Sequence, residues 1–206
     1  MFRYKDQFEK NKIGWQKSSL EGFSQDDDGE ALPWMTYPFI EFIKNNLQPD
    51  QQIFEFGSGS STLFFAKKVR KVVTLESNKI WFEITKEKLA QAEIKNVELI
   101  LMEDALQNSA YENFAKNYEE KFDFIIVDSL KRFECSKNSV EALKAYGSLI
   151  LDDSERKNYA KIFDFFAERD FQKQDFFGIT PGQIREKNTT VFSLGAGLDF
   201  GAGLDL

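Results

Sequence analysis

The residues best placed to do chemistry are a pair of glycines and a set of acids that each follow a short apolar run. Glu55-Phe56-Gly57-Ser58-Gly59-Ser60-Ser61-Thr62 sits between an apolar stretch and a helical one. Two glycines let the backbone turn sharply and approach a ligand, and the opening of a helix adds unpaired N–H groups. Glu76 closes the next apolar run, 19 residues after Gly57. A carboxylate there accepts both hydroxyls of a ribose; the plainer reading is a solvated strand-end acid. Asp104, after the third run, can accept from an adenine amino group, and taken alone it is no more than a helix cap. The third glycine of a dinucleotide fingerprint falls on Thr62 and is missing, so the glycine pair by itself is a weak signal.

Composition removes other chemistries. Among 206 residues there is no His, which excludes Ser-His-Asp and Cys-His catalysis, His-ligated zinc and His general bases. The single cysteine, Cys135, has no internal disulfide partner. It reads as a small buried apolar residue of a protein from a reducing compartment, so a cytoplasmic location is expected. Net charge is −7, from which no general nucleic-acid partner is expected. The charged N-terminus lacks a signal-peptide core, and no run reaches the ~20 apolar residues of a membrane span, so no membrane partner is expected either.

The elements that must position these residues alternate. Ile53–Phe56, Val72–Glu76, Val97–Leu101, Phe122–Asp128 and Leu149–Leu151 read as strands. Helical runs lie around Phe39–Ile43, Leu63–Val69, Ile80–Leu89, Val140–Leu143 (ending near Gly147) and Tyr159–Ala167. Gln174–Gly178 and Thr189–Ser193 read as a closing antiparallel pair. The pattern predicts an α/β, Rossmann-like doubly wound sheet of seven mostly parallel strands, the last antiparallel, with helices on both faces. Ligands of such sheets bind beyond the carboxyl ends of the strands. The expected division is an irregular arm over 1–30, a catalytic domain over 31–194 and a tail over 195–206, in which Gly-Ala-Gly-Leu-Asp recurs.

These motifs resemble class I S-adenosylmethionine-dependent methyltransferases: apolar strand, acid and G-x-G at Ile53–Gly59, an acid closing strand two at Glu76, Asp104 after strand three, and an apolar strand ending in Asp128. The resemblance looks closest to a bacterial small-molecule group through Pro33-Trp34-Met35-Thr36-Tyr37, Glu55–Thr62, Leu151–Arg156 and Thr189–Phe192. It implies a transferase that uses S-adenosylmethionine to methylate an oxygen or nitrogen of a small molecule or peptide. The cofactor would be bound by Glu55, Gly57, Gly59, Ser61, Thr62, Glu76, Asp104, Trp34 and Tyr37. Ser61 departs from a glycine found in many members.

A more distant similarity to catechol-type O-methyltransferases implies a metal. Asp128, Asp152 and Asp153 would hold Mg²⁺ and Lys131, three residues beyond Asp128, would take the proton, making Asp128 and Lys131 the catalytic pair. Asp153 stands where that pattern has Asn. Neutralisation of the three acids by Lys131, Arg132 or Arg156 is the competing expectation. An NAD-dependent oxidoreductase and a catalytically silent Rossmann-like subunit remain as rival functions.

Overall fold

The computed structural model describes residues 14–195. Strands β1 (Gln52–Phe56), β2 (Lys71–Glu76), β3 (Val97–Leu101), β4 (Phe122–Val127), β5 (Leu143–Leu151), β6 (Gln172–Thr180) and β7 (Gln183–Ser193) form one seven-stranded sheet. Its order is β3-β2-β1-β4-β5-β7-β6. The first five strands run parallel, and β7 lies antiparallel to both β5 and β6. The chain reverses its direction of travel across the sheet between β1 and β4, which is the switch point where such folds bind ligands.

Strand parity sorts the core into two layers. Phe54, Phe56, Val73 and Leu75 face one side, against Tyr111, Cys135, Ile162 and Phe166 from α5 (Ala110–Asn113), α6 (Arg132–Ser139) and α7 (Ala160–Ala167). Ile53, Val72, Ile126 and Ile150 face the other, against Phe39, Ile40 and Ile43 of α2 (Tyr37–Asn46) and Phe64 and Phe65 of α3 (Ser60–Ala66). The amphipathic α4 (Lys79–Gln91) adds Leu89 beside Leu63 and Phe23. Phe54, Phe56, Phe65 and Phe124 are essentially inaccessible, each contributing about 1.5–3 kcal/mol through burial. The high phenylalanine content therefore fills the two layers.

Two expectations are corrected. The helix expected over Val140–Gly147 ends at Ser139, a short 3₁₀ turn covers Val140–Ala142, and Leu143 already belongs to β5. Gly147 lies inside the strand, and a Cβ there would sit 2.8 Å from the Phe122 carbonyl oxygen. The backbones approach this closely where the β4–β5 register shifts between Phe122 and Phe124. The segment expected to be an irregular arm contains α1 (Trp15–Glu21) and a bridge from Gln25 to Ala31. Trp15 Nε1 donates to the Gln183 carbonyl at 3.1 Å, which fastens α1 to β7. The first thirteen residues and the repeat of the expected tail lie outside the described residues.

Candidate active site

The loop after β1 forms the floor of a crevice of about 450 Å³ at the carboxyl ends of β1, β2 and β4. Gly57 has φ of 100°, and a Cβ on it would lie 2.6 Å from the Asp128 carbonyl oxygen, so the loop can cross the end of β4 only with glycine there. Thr62 Oγ1 accepts from the Gly59 N–H at 3.2 Å and holds the first turn of α3 against the loop.

Glu76, 5% exposed, organises the adjoining wall. Its Oε2 accepts from the Ser58 N–H at 2.6 Å and the Ser58 hydroxyl at 2.9 Å. Its Oε1 accepts from the N–H groups of Ser77 and Asn78, both at 2.7 Å. Asn78 then caps α4, with Oδ1 accepting from Ile80 and Trp81 at 2.8 and 3.3 Å. The cap sets Trp81 in the crevice, where its ring meets Trp34 edge-on at 6.3 Å. Trp34 is pinned from behind: its Nε1 donates to the Pro181 carbonyl at 2.7 Å, and its carbonyl accepts from Lys187 Nζ at 3.0 Å.

Of the residues expected to bind the cofactor, Gly57, Gly59, Ser61, Glu76 and Trp34 line this crevice together with Asp128. Glu55 lies beneath it, 1% exposed, accepting from Thr74 Oγ1 at 3.0 Å. Burial raises its pKa to about 7, against hydrogen bonds from Thr62, Ser61 and Thr74, with Asp128 adding a further upward push. Thr62 is fully buried in the same layer. Three side chains depart from the expected pattern. Asp104 is exposed and turned to its own loop, accepting from Asn108 Nδ2 at 3.1 Å. Tyr37 is half-buried in the first turn of α2, away from the crevice lining. Lys131 donates to Glu112 at 2.9 Å and to the Asn108 carbonyl at 3.2 Å, so its ammonium serves α5 rather than the acids after β4 and β5.

Those acids converge. Carboxylate oxygens of Asp128, Asp152 and Asp153 lie within 4.8 Å of one another. Three cations fill the space between and around them. Arg132 Nη2 reaches Asp128 at 2.6 Å and Asp153 at 3.4 Å, and Nη1 donates to the Asp152 carbonyl oxygen. Lys187 pairs with Asp152 and, at 3.2 Å, with Asp153; Arg156 also pairs with Asp153. Thr189 Oγ1 donates to Asp152 at 2.7 Å. Three carboxylates against three cations leave no uncompensated charge for a divalent ion, so this donor set does not fit Mg²⁺. Burial and then the Asp152 carboxylate push Asp128 above the usual range, while Arg132 and Lys187 pull it down. Asp153 goes the other way: burial opposes its charge, but Lys187, Arg132 and Arg156 hold it below the ordinary value.

Ser58, Asn78, Trp81 and Lys187 escaped the reading of the sequence. Asn78 did carry a signal, since an Asn two residues after a strand-end acid and just before a helical run is a cap signature. Lys187 carried none: its partners stand 34 and 35 residues earlier, across the β5–β7 pairing.

The crevice suits S-adenosylmethionine through its volume, the two glycines at the floor and the near-buried carboxylate of Glu76 beside them. The family model described as "Ribosomal RNA adenine dimethylase" matches residues 42–143. No curated protein matches the chain. Among solved structures, the fold is similar to an rRNA methylase from Streptococcus thermophilus (17% identity, TM-score 0.59, covering 76% of this chain and 96% of that one). It is also similar to precorrin-6y C5,15-methyltransferase from Geobacter metallireducens (14%, 0.61, 83% and 98%). A third is an O-methyltransferase from Bacillus cereus in complex with SAH (18%, 0.57, 70% and 74%). The expectation that excluded nucleic acid as a partner is corrected by the family match: net charge describes the whole surface, whereas the matched region carries the signature of a family named for an RNA substrate. Among the described residues, no helix is long and apolar enough to cross a membrane. With the family match added to the strand order and the acid–glycine crevice, the chain is a class I S-adenosylmethionine-dependent methyltransferase.

Proposed function

We propose that the chain methylates an oxygen or nitrogen of a small molecule or peptide that enters the crevice beside Asp128. The observation that carries this reading is the Asp128 carboxylate itself: it is half-buried at the crevice edge, while Arg132 grips its other side. Bound S-adenosylmethionine supplies an electrophilic methyl group. Glu76, Gly57 and Gly59 would hold the adenosyl end, and Trp34 and Trp81 would wall the methyl end from water. Asp128, raised by burial and by Asp152, would accept the proton that the nucleophile releases. Arg132 would keep the carboxylate aimed. Lys131 takes no part in this reading, because its ammonium is committed to Glu112. Transfer of this kind depends on alignment more than on strong acid–base catalysis, which accords with a site containing no His.

A second acceptor is favoured by the family match: an adenine amino nitrogen of ribosomal RNA. One experiment separates the two. Methyl-labelled S-adenosylmethionine is incubated with the enzyme and either a small-metabolite and peptide fraction or total RNA. Label in the first fraction supports the proposal. Label confined to RNA replaces it with the second reading.

A further inference from the structure

The Glu76 carboxylate has no lone pair to spare. A carboxylate offers about four acceptor sites, and Glu76 already accepts four hydrogen bonds, from Ser58 N–H, Ser58 Oγ, Ser77 N–H and Asn78 N–H. A ribose diol brings two further donors. Three of the four present donors are backbone groups fixed by the Gly57–Ser58 loop and by the entry to α4. The fourth is a side-chain hydroxyl, able to turn about a single bond.

Ser58 also has a second partner in place. Thr85 Oγ1, on a fully buried residue of α4, lies 3.2 Å from Ser58 Oγ and donates to it. Thr85–Ser58–Glu76 is therefore a chain of hydroxyls ending on the carboxylate. If the Ser58 proton swings to Thr85 Oγ1, no heavy atom moves. The Thr85 proton can turn to a carbonyl of the preceding helical turn, as helical threonines do. Glu76 Oε2 then has one free lone pair, and Ser58 Oγ has another; both residues line the crevice.

We infer that ribose is read by an acid–hydroxyl pair: Glu76 accepts one hydroxyl of the diol and Ser58 accepts the other, with Thr85 as the positioning residue that receives the Ser58 proton. This replaces the expectation that Glu76 accepts both. It makes Ser58 a specificity residue for the diol, and it rests on the reading of the crevice as the adenosyl site.

The test is calorimetric binding of S-adenosylhomocysteine and its 2′-deoxy and 3′-deoxy analogues to the wild-type chain, Ser58→Ala and Thr85→Val. Ser58→Ala is expected to weaken S-adenosylhomocysteine about tenfold, the scale of one hydrogen bond. It should bind one of the two deoxy analogues as tightly as wild type does, because that analogue lacks the hydroxyl Ser58 would accept. Thr85→Val should show the same ligand dependence with a smaller loss; unchanged thermal midpoints would confirm that both variants fold. An equal loss for all three ligands would mean that Ser58 only shapes the loop, and tighter binding would mean that it only obstructs Glu76; either overturns the inference. Failure of the wild-type chain to bind S-adenosylhomocysteine would bring down the adenosyl-site reading and the inference with it.

Discussion

Lys187 of β7 and Asp152 at the end of β5 form an ion pair that is 9% and 1% exposed at its two residues, across the antiparallel seam of an otherwise parallel region. The ammonium also reaches Asp153 and the backbone of Trp34, so one side chain joins the acid cluster to the crevice wall.

Lys187→Met should therefore cost about 3–5 kcal/mol of stability, because it strands a buried carboxylate. Urea denaturation reads the loss directly. Adding Asp152→Leu should recover part of it, since an apolar pair carries no desolvation penalty; a double variant no more stable than the single would argue against the pairing as the cause.

Stability should fall between about pH 4.5 and pH 7 through Glu55. Its folded pKa, about 7, stands above the ordinary 4.5, so in this window the folded chain holds a proton that the unfolded chain has released. The favourable contribution is complete below 4.5 and gone above 7. It amounts to about 3 kcal/mol. Glu55→Gln should flatten the profile by that amount in denaturation curves at pH 4 and pH 8, leaving the same-signed slopes of Asp128 and Asp152. An unchanged slope would place the titration elsewhere.

The two glycines should respond differently to alanine. Gly57→Ala meets both a positive φ and the Asp128 carbonyl, and should destabilise the fold by about 1–3 kcal/mol. At Gly59 a Cβ would meet only the Trp81 ring at 4.0 Å. Gly59→Ala should therefore keep its melting temperature and lose affinity for S-adenosylhomocysteine. Comparable melting temperatures for the two variants would contradict this account.

Chelation should leave turnover unchanged. With Arg132, Arg156 and Lys187 already among the acids, EDTA has no ion to remove, and Asp153→Asn should lower stability without creating a response to added Mg²⁺. Activity that disappears with EDTA and returns with Mg²⁺ would refute this arrangement.

Lys131→Met should slow turnover less than about twofold while loosening the contact of α5 with the loop after β4, since the lost partner is Glu112. A large fall in kcat with KM unchanged would restore a proton-transfer role.

The parallel sheet was legible because buried strands such as Phe124-Ile125-Ile126-Val127 write themselves as unbroken apolar runs, and the helices between them carry one-sided periodicity. Leu143 was misplaced on a helix because Val140 and Leu143 keep helical spacing across the point where a 3₁₀ turn hands over to β5. At the site, Gly57 and Glu76 were visible because their backbone setting dictates the residue type. Lys131 was misjudged because spacing along the chain does not say which way a side chain turns: with φ of 48° it heads α6 and points to Glu112. Lys187 and Trp81 owe their places to pairings and caps made by other residues, and no local pattern announces them.

Trp34 stands near the beginning of the described chain, yet both of its anchors, the Pro181 carbonyl and the Lys187 ammonium, belong to the closing hairpin. During synthesis the glycine loop, Glu76 and Asp128 all leave the ribosome before that hairpin exists. The crevice is thus assembled from its floor upward, and its Trp34 wall is seated only once the β6–β7 hairpin has been made. A chain cut short before Pro181 would retain the binding motifs in order but lack the fastening that turns them into a walled site.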